Sequence, residues 1–161
     1  MPRSKTTQVI QVGIIVKDVE ETADKLERFF GIGPFRIFEP KYKDLTYRGK
    51  PSKFRFKIGL AMAGDVQIEL AQPLSGKTIY GEYVKRKGYG IHHLGIRTQN
   101  MAQSVREMNS KGFNVIQSGN RPGTGWAYLD CEDELGLIFE LVAHGKRSRC
   151  VINNEQRKVR R

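Results

Sequence analysis

The sequence predicts an α+β fold built from two tandem βαβββ modules, and two observations support this prediction. The first is an internal repeat, because Gln11-Val12-Gly13-Ile14 and His93-Leu94-Gly95-Ile96 lie 82 positions apart and share their apolar-Gly-Ile ending. The second is that the closing runs resemble one another, VQIEL at 66–70 and LIFEL at 137–141. A duplicated unit buries its hydrophobic face against its copy. We therefore expect the two modules to pair into one curved mixed sheet around a shared cavity.

The repeat divides the chain of 161 residues into five segments. Residues 1–7 form an N-terminal extension, 8–76 the first module, 77–90 a linker, 91–143 the second module and 144–161 a basic C-terminal tail. This length suits one compact domain or two small modules that share a core.

The first module begins with a strand at 9–16, which is rich in β-branched residues. Asp18 then predicts a helix N-cap, and Glu21 completes a capping box. Val19, Ala23, Leu26 and Phe30 follow at helical spacing, and Gly31 ends the helix. Phe35–Phe38 is a candidate strand, and 39–53 is expected to be a loop over the site or a hairpin. Two strands follow at 54–62 and 66–71, and the second alternates Val66, Ile68 and Leu70 with Gln67 and Glu69.

The linker predicts one helix, Thr78–Lys87, which Gly88 and Gly90 terminate. The second module repeats the plan of the first, with a strand at 91–98, an N-cap at Asn100 and an apolar helix face of Met101, Val105 and Met108. Phe113–Gln117 is predicted to be a strand and Ser118–Gly125 a loop, because the latter is rich in glycine and proline. The closing strands are 126–130 and 136–143, joined by an acidic turn at 132–134.

The positive charge is concentrated in two stretches. The formal net charge is +11, of which 36–57 contributes +6, 144–161 contributes +6, and the remainder −1. Neither stretch contains a nucleic-acid recognition motif, so general attraction to polyanions is a weak argument and we do not expect a nucleic-acid partner.

The cellular setting predicted from the sequence is a reduced cytoplasm. No apolar run approaches the roughly 20 residues needed to span a bilayer, and the N-terminus lacks the apolar core of a secretory signal. The two cysteines, Cys131 and Cys150, do not form a CxxC motif or a disulfide framework.

Four side chains that can bind a metal occupy repeat-related positions. Gln11 and His93 lie on the opening strands, and Glu69 and Glu140 lie on the closing strands. If the copies are related by a two-fold, the four converge in a cavity suited to Zn²⁺, Ni²⁺, Co²⁺, Mn²⁺ or Mg²⁺. The alternative for each residue alone is a satisfied core histidine or a glutamate facing solvent.

The other candidate residues have simpler interpretations. His92 is expected on the opposite face of its strand from His93, in a structural role, because strand side chains alternate. His144 is expected past the last strand, without a role. Trp126 and Tyr128 are expected to pack or to line the cavity.

The runs QVGIIVKD, VQIELAQPL, HHLGI and LIFELV resemble the vicinal oxygen chelate superfamily, which includes glyoxalase I, methylmalonyl-CoA epimerase and extradiol dioxygenases. The resemblance covers about residues 8–143 and is greatest to the epimerases, although those usually have His where this chain has Gln11. Gln, Glu, His, Glu is instead the order of one glyoxalase I type. The resemblance implies a glyoxalase-like fold, implies metal ligands at the four positions (Gln11, Glu69, His93 and Glu140), and implies Glu140 as the base with Glu69 on the opposite face.

The function implied is a metal-dependent isomerase or epimerase that moves a proton next to a metal-bound carbonyl or enediolate. Because ferrous dioxygenases typically use two His and one carboxylate, a single His makes iron the less favoured ion. The alternatives are a lyase such as lactoylglutathione lyase, an extradiol-type dioxygenase, and a metal-free binding protein of the bleomycin-resistance kind. An anionic substrate, such as an acyl-CoA or a glutathione adduct, would be attracted by the basic region at Lys41, Lys43, Arg48, Lys50 and Lys53. Superfamily members are commonly homodimers.

Overall fold

A computed structural model describes residues 8–121 and 124–144 of the chain. Its strands and helices, in chain order, are β1 (Val9–Ile15), α1 (Val19–Phe30), β2 (Arg36–Phe38), β3 (Asp44–Tyr47), β4 (Lys50–Pro51), β5 (Arg55–Ala63), β6 (Val66–Ser75), α2 (Ile79–Lys87), β7 (Gly90–Thr98), α3 (Met101–Ser110), β8 (Val115–Arg121), β9 (Thr124–Leu129), α4 (Glu132–Leu135) and β10 (Ile138–His144).

Within the described residues, the strands form one mixed sheet in the order β2-β5-β6-β1-β7-β10-β9-β8-β3-β4. The two copies meet at the centre, where β1 pairs antiparallel with β7. On either side, β6 runs parallel to β1 and β10 runs parallel to β7. The order β2-β5-β6-β1 is therefore repeated in mirror order as β7-β10-β9-β8, which confirms the predicted glyoxalase-like α+β fold.

A hairpin of the first copy extends the sheet of the second. Strands β3 and β4 pair with each other, and β3 pairs antiparallel with the β8 edge. The chain therefore crosses from β2, at one edge of the sheet, to β3, near the other edge, through residues 39–43 alone. Six residue steps span at most about 20 Å, so the two edges must curl towards one another. Of the two predictions for 39–53, the hairpin is the structure that forms.

Helices α1 and α3 cover the outer face of the sheet. Val19 and Ala23 of α1 are buried against Leu70 of β6, and α3 packs Met101, Val105 and Met108 against β9 and β10. Both predicted N-caps are confirmed, because Asp18 accepts the Glu21 N–H at 2.8 Å and Asn100 accepts the Gln103 N–H at 3.1 Å. The predicted apolar face of α1 ends one turn early. Phe30 is 73% exposed, since the contacts beneath this helix stop at Leu26.

The inner face of the sheet carries an aromatic core, and α2 packs on it. The Tyr80 hydroxyl of α2 hydrogen-bonds the Tyr128 hydroxyl of β9 at 2.8 Å, and both side chains are fully buried. The buried Gln117 side chain of β8 accepts the Ile79 N–H at 3.0 Å, which holds the first turn of the helix. At the other end of α2, Glu132 of α4 accepts from Arg86 and Lys87, each at 2.6 Å. The predicted helix is thus confirmed and joins the two copies across the inner face.

Three local predictions for the second copy need correction. Residues 118–121 are not a loop but the end of β8, because β3 and β9 pair with them on both sides. Gly119 fits there because a side chain would collide with the Trp126 ring. The acidic turn at 132–134 is the short helix α4. His144 is not past the last strand, since its backbone pairs with Thr124 at the end of β10.

Several expectations concern residues outside the described ranges, namely the extension 1–7, Cys150 and the basic tail beyond His144. Cys131 is a buried free thiol. No helix formed by residues 8–121 and 124–144 has the length and apolar character required to cross a membrane.

Candidate metal centre

The four predicted metal ligands come together on the inner face of the sheet, all within one chain. They lie on four adjacent strands, β6, β1, β7 and β10, and each is at most 8% exposed. The Nε2 atom of His93 lies 3.4 Å from Oε2 of Glu140 and 3.8 Å from Oε1 of Glu69. Nε2 of Gln11 donates to Oε2 of Glu69 at 3.0 Å. The repeat thus places one imidazole between two carboxylates.

Two glycines related by the repeat make room for the two opening ligands. A Cβ atom on Gly13 would lie 1.8 Å from Cε1 of His93, and one on Gly95 would lie 2.7 Å from Oε1 of Gln11. Real Cβ contacts are never this short, so each ligand side chain lies over the glycine of the opposite copy. The His93 ring therefore makes the close approach to Gly13.

A pair of β-bulges determines where the opening side chains point. Between β1 and β7, Gly13 pairs with His93 but Ile14 pairs with Ile91, which leaves His92 as an extra residue. At the repeat-related place, Val9 pairs with Ile96 and Gln11 with Gly95, which leaves Ile10 extra. A bulge interrupts the alternation of side chains and re-aims them. The expectation that His92 lies on the opposite face from His93 is therefore wrong.

His92 is buried beside His93 in a cage of aromatic rings. Its Nδ1 atom lies 3.0 Å from Nδ1 of His93. Its ring stands nearly perpendicular to those of Tyr80, Tyr83 and Tyr128, at 5.0 to 5.7 Å between centroids. Burial, followed by the proximity of His93, holds the pKa of His92 well below its usual value. His92 is thus a neutral imidazole in contact with a candidate ligand.

The charges of this cluster shift the pKa values of Glu69 and His93. Burial, reinforced by the Glu140 carboxylate, raises the pKa of Glu69 to about 7. Burial alone would lower the pKa of His93, but the Glu140 and Glu69 carboxylates outweigh it and raise that pKa. Two buried carboxylates that repel one another favour a cation between them. A divalent ion held between them would supply that positive charge.

Among the described residues, three buried polar atoms without a hydrogen-bond partner belong to the candidate ligands. Oε1 of Gln11, Nε2 of His93 and Oε2 of Glu140 are buried without a hydrogen-bond partner. Buried polar groups are nearly always paired, and Nε2 of His93 and Oε2 of Glu140 lie 3.4 Å apart, so a cation in contact with both atoms would satisfy them. An ion with bonds of 2.0–2.2 Å places neighbouring donors roughly 3–3.4 Å apart, close to the separations observed around His93. The residues present therefore fit a metal such as Zn²⁺, Ni²⁺ or Mn²⁺.

The side chains still need small movements to hold an ion. In residues 8–121 and 124–144, no three His, Cys, Asp or Glu side chains stand ready-made for coordination. The amide of Gln11 also turns its nitrogen towards Glu69 and Gln67, each at 3.0 Å. A half-turn of that amide exchanges its nitrogen and oxygen, which brings the ligand-type atom towards Glu69.

The crossing segment 39–43 places one further side chain over the site. Tyr42 stacks on Phe56 with centroids 6.2 Å apart and meets the edge of Trp126 at 5.6 Å. Burial, followed by the nearby charge of Glu69, raises the pKa of Tyr42 to about 12. Tyr42 was not among the residues predicted from the sequence. It is one of two tyrosines in the basic segment 39–53, and its position depends on how the hairpin returns to β8.

Comparison with known proteins agrees with this architecture. Residues 10–129 match the protein family described as the Glyoxalase/Bleomycin resistance protein/Dioxygenase superfamily. Because the match covers well over half of the chain, the protein belongs to this superfamily.

Individual relatives are distant in sequence. The uncharacterized protein YqjC of Bacillus subtilis strain 168 is 22% identical over 117 residues, which is 70% of this chain and 84% of that protein. The crystal structure of methylmalonyl-CoA epimerase from Mycobacterium tuberculosis matches with a TM-score of 0.64 at 17% identity. The match covers 93% of this chain and 98% of the epimerase chain. A methylmalonyl-CoA epimerase in complex with methylmalonyl-CoA and NH4+ has a TM-score of 0.62 at 18% identity, covering 88% and 97%. At these identities the structures show the shared fold.

Proposed function

We propose that this protein is a metal-dependent isomerase or epimerase that moves a proton on the carbon next to a substrate carbonyl. The observation that supports the proposal is the buried cluster of one imidazole and two carboxylates, with Nε2 of His93 and Oε2 of Glu140 unpaired. The proposed ligands are Gln11, Glu69, His93 and Glu140, and the ion is zinc, nickel, cobalt, manganese or magnesium. One histidine among the four makes a ferrous oxygenase site the weaker hypothesis.

The chemistry divides between the ion and the protein. When bound, the divalent ion polarises a substrate carbonyl and makes the neighbouring C–H bond more acidic. Glu140 is the proposed base for that proton, because its unpaired Oε2 faces the cluster. Glu69 lies on the repeat-related strand, so it is the candidate for delivering or removing a proton from the opposite side. The aromatic residues around the site exclude water and keep these groups in a medium of low dielectric constant.

The substrate we propose is anionic, such as an acyl-CoA or a thiol adduct. Four basic side chains of the segment between β2 and β5 are exposed (Lys41, Lys43, Lys50 and Lys53). Arg48 is not free, since it pairs with Glu82 at 2.5 Å. The complex of a structural neighbour with methylmalonyl-CoA makes that thioester the first substrate to test. We further propose a homodimer, as the resemblance implies, and a cytoplasmic location, as the cysteine content and the N-terminal sequence predict.

The experiment is to measure the metal content of the purified protein by elemental analysis, beside a Glu140→Gln variant and a Glu134→Gln control. Glu134 is an exposed carboxylate of α4, so its loss leaves metal content unchanged. The metal-loaded protein is then incubated in D₂O with methylmalonyl-CoA, and NMR follows exchange of the proton next to the carbonyls. We expect a near-stoichiometric divalent ion and proton exchange in the native and control proteins. Both should be strongly reduced in Glu140→Gln.

Other outcomes identify the alternatives. Stoichiometric iron with oxygen uptake on a catechol would indicate an extradiol-type dioxygenase. A metal ion with turnover of a glutathione hemithioacetal, but without exchange on the thioester, would indicate a lactoylglutathione lyase. Failure to bind any metal after reconstitution would contradict the enzymatic proposal and leave a metal-free binding protein, for which the aromatic inner face would be the ligand surface.

A further inference from the structure

We infer that His92 is a positioning residue that selects the tautomer of His93. In this arrangement Nδ1–H of His93 donates to Nδ1 of His92, which leaves the lone pair of Nε2 of His93 directed towards Glu69 and Glu140. The inference rests on the proposed metal site, and it assigns a role to a residue that does not touch the ion.

The geometry around the two imidazoles supports this direction of the hydrogen bond. The two Nδ1 atoms are 3.0 Å apart, so one must donate and the other must accept. If His92 were the donor, a neutral His93 would carry its proton on Nε2, between the two carboxylates. That proton faces Glu140 at 3.4 Å and is favoured while no ion is bound, but it occupies the space where an ion would contact the ring. The opposite assignment gives His93 a free lone pair at the cluster.

The surroundings of His92 also fit its acceptor role. When its Nδ1 accepts, its Nε2 carries the proton, and the described residues offer that atom no oxygen acceptor. The nearby hydroxyls are engaged elsewhere, because Tyr80 and Tyr128 bond each other and Tyr83 donates to the Ile91 carbonyl. The Tyr83 ring lies 5.0 Å away and nearly perpendicular. Among the described residues, the contact with Nδ1 of His93 is therefore the hydrogen bond that the His92 ring makes.

The internal repeat provides a comparison within the same molecule. The counterpart of His92 is Ile10, the extra residue of the other bulge, and it is also buried. In that copy the ligand is Gln11, whose amide finds its own partners in Gln67 and Glu69. An imidazole ligand has a second ring nitrogen that needs a partner to fix its orientation. A polar residue therefore stands at the bulge only in the copy that has an imidazole beside it.

Zinc affinity, measured by competition with a chromophoric chelator, tests the role of His92. His92→Leu removes the acceptor and is expected to weaken Zn²⁺ binding by about 10–100-fold. His92→Asn places an oxygen near the position of Nδ1 and should recover much of the loss. Ile10→Val, at the matching bulge, perturbs the packing alone and should leave the affinity unchanged. Equal affinities in native protein and His92→Leu would overturn the inference, as would equal weakening in the Leu and Asn variants.

A second readout uses the zinc-loaded native protein and needs no variant. The chain has three histidines, so ¹⁵N-histidine labelling gives few signals, and long-range ¹H–¹⁵N correlation distinguishes the two neutral tautomers. At alkaline pH, where both rings are neutral, we expect the proton on Nδ1 of His93 and on Nε2 of His92. The reverse pair of tautomers would refute the inference. If the zinc-loaded protein showed the expected tautomers but no proton exchange on the thioester, the proposed function would fail while the assigned hydrogen bond would stand.

Discussion

Replacing Gly13 with alanine tests whether His93 lies where the structure places it. Gly13 sits at the centre of the sheet and pairs with Glu69 on one side and His93 on the other. The added methyl carbon would stand 1.8 Å from Cε1 and 2.1 Å from Nε2 of the imidazole. Alanine fits an extended strand, so the backbone does not resist the change. The added methyl group therefore collides with the imidazole ring of His93.

The ring has little room to move away. Tyr128 packs against it with centroids 4.9 Å apart, and His92 contacts its Nδ1 atom. Inserting a methyl group into a packed interior typically costs about 1–3 kcal/mol. For a chain of this length, that corresponds to a fall in melting temperature of roughly 2–12 °C. Because displacing a ligand by an ångström removes most of its contribution, we also expect Zn²⁺ affinity to fall by about tenfold or more.

Thermal unfolding of the metal-free protein and a zinc titration together measure both effects. Gly81→Ala is the matched control, because a Cβ at that helical glycine meets nothing closer than Oγ1 of Thr78 at 3.6 Å. This control should be neutral or more stable by up to about 1 kcal/mol, with native zinc affinity. A Gly13→Ala protein with native melting temperature and native zinc affinity would refute the position of the His93 ring.

Three further predictions concern stability. Tyr80→Phe leaves the buried Tyr128 hydroxyl without its 2.8 Å partner and should cost about 1–3 kcal/mol in denaturant unfolding. The double variant with Tyr128→Phe should cost less than the sum of the two single changes, and strict additivity would show that the hydroxyls do not interact. Burial alone would raise the pKa of Glu132, but hydrogen bonds from Lys87 and its neighbouring arginine outweigh it and lower that pKa. A carboxyl group whose pKa is lowered by folding stabilises the fold above about pH 4.3. This contribution is lost as the pH falls through the pKa of the group in the folded protein. Glu132→Gln should therefore be less stable than the native protein at neutral pH by about 0.3–1 kcal/mol. This difference in the free energy of unfolding should vanish in acid. A difference that persists at low pH would contradict the ion-pair explanation. Asp18→Ala removes an N-cap and should cost about 1 kcal/mol, whereas no change on thermal melting would show that α1 does not depend on its cap.

The sequence predicted the fold because the repeat is visible in the residues themselves. Strand and helix periods, two N-caps and the glycine after α1 are local signals, and each specified its element within a few residues. The four candidate ligands were also identified from the repeat, since equivalent strands of a duplicated fold meet at a shared axis. Their convergence in one cluster agrees with that argument.

Other features depended on contacts between distant segments. Residues 118–121 have the composition of a loop, but they form a strand because β3 and β9 provide hydrogen-bond partners on both sides. Phe30 has helical spacing on the apolar face of α1, but it is exposed because the contacts beneath the helix end earlier. Local composition does not indicate which strands pair with a segment or which residues pack beneath a helix.

His92 is the clearest example of a residue whose position depends on contacts between distant segments rather than on local sequence. Its sequence position beside His93 predicted the opposite face, since alternation is the rule for an ordinary strand. The register between β1 and β7 introduces a bulge, and the bulge brings both imidazoles into contact at 3.0 Å. The sequence by itself determined the duplicated fold and the four candidate ligands, because both follow from local periods and internal symmetry. Only the tertiary structure decided the pairing register, and with it the partner of His93, because register depends on how two distant strands fit together.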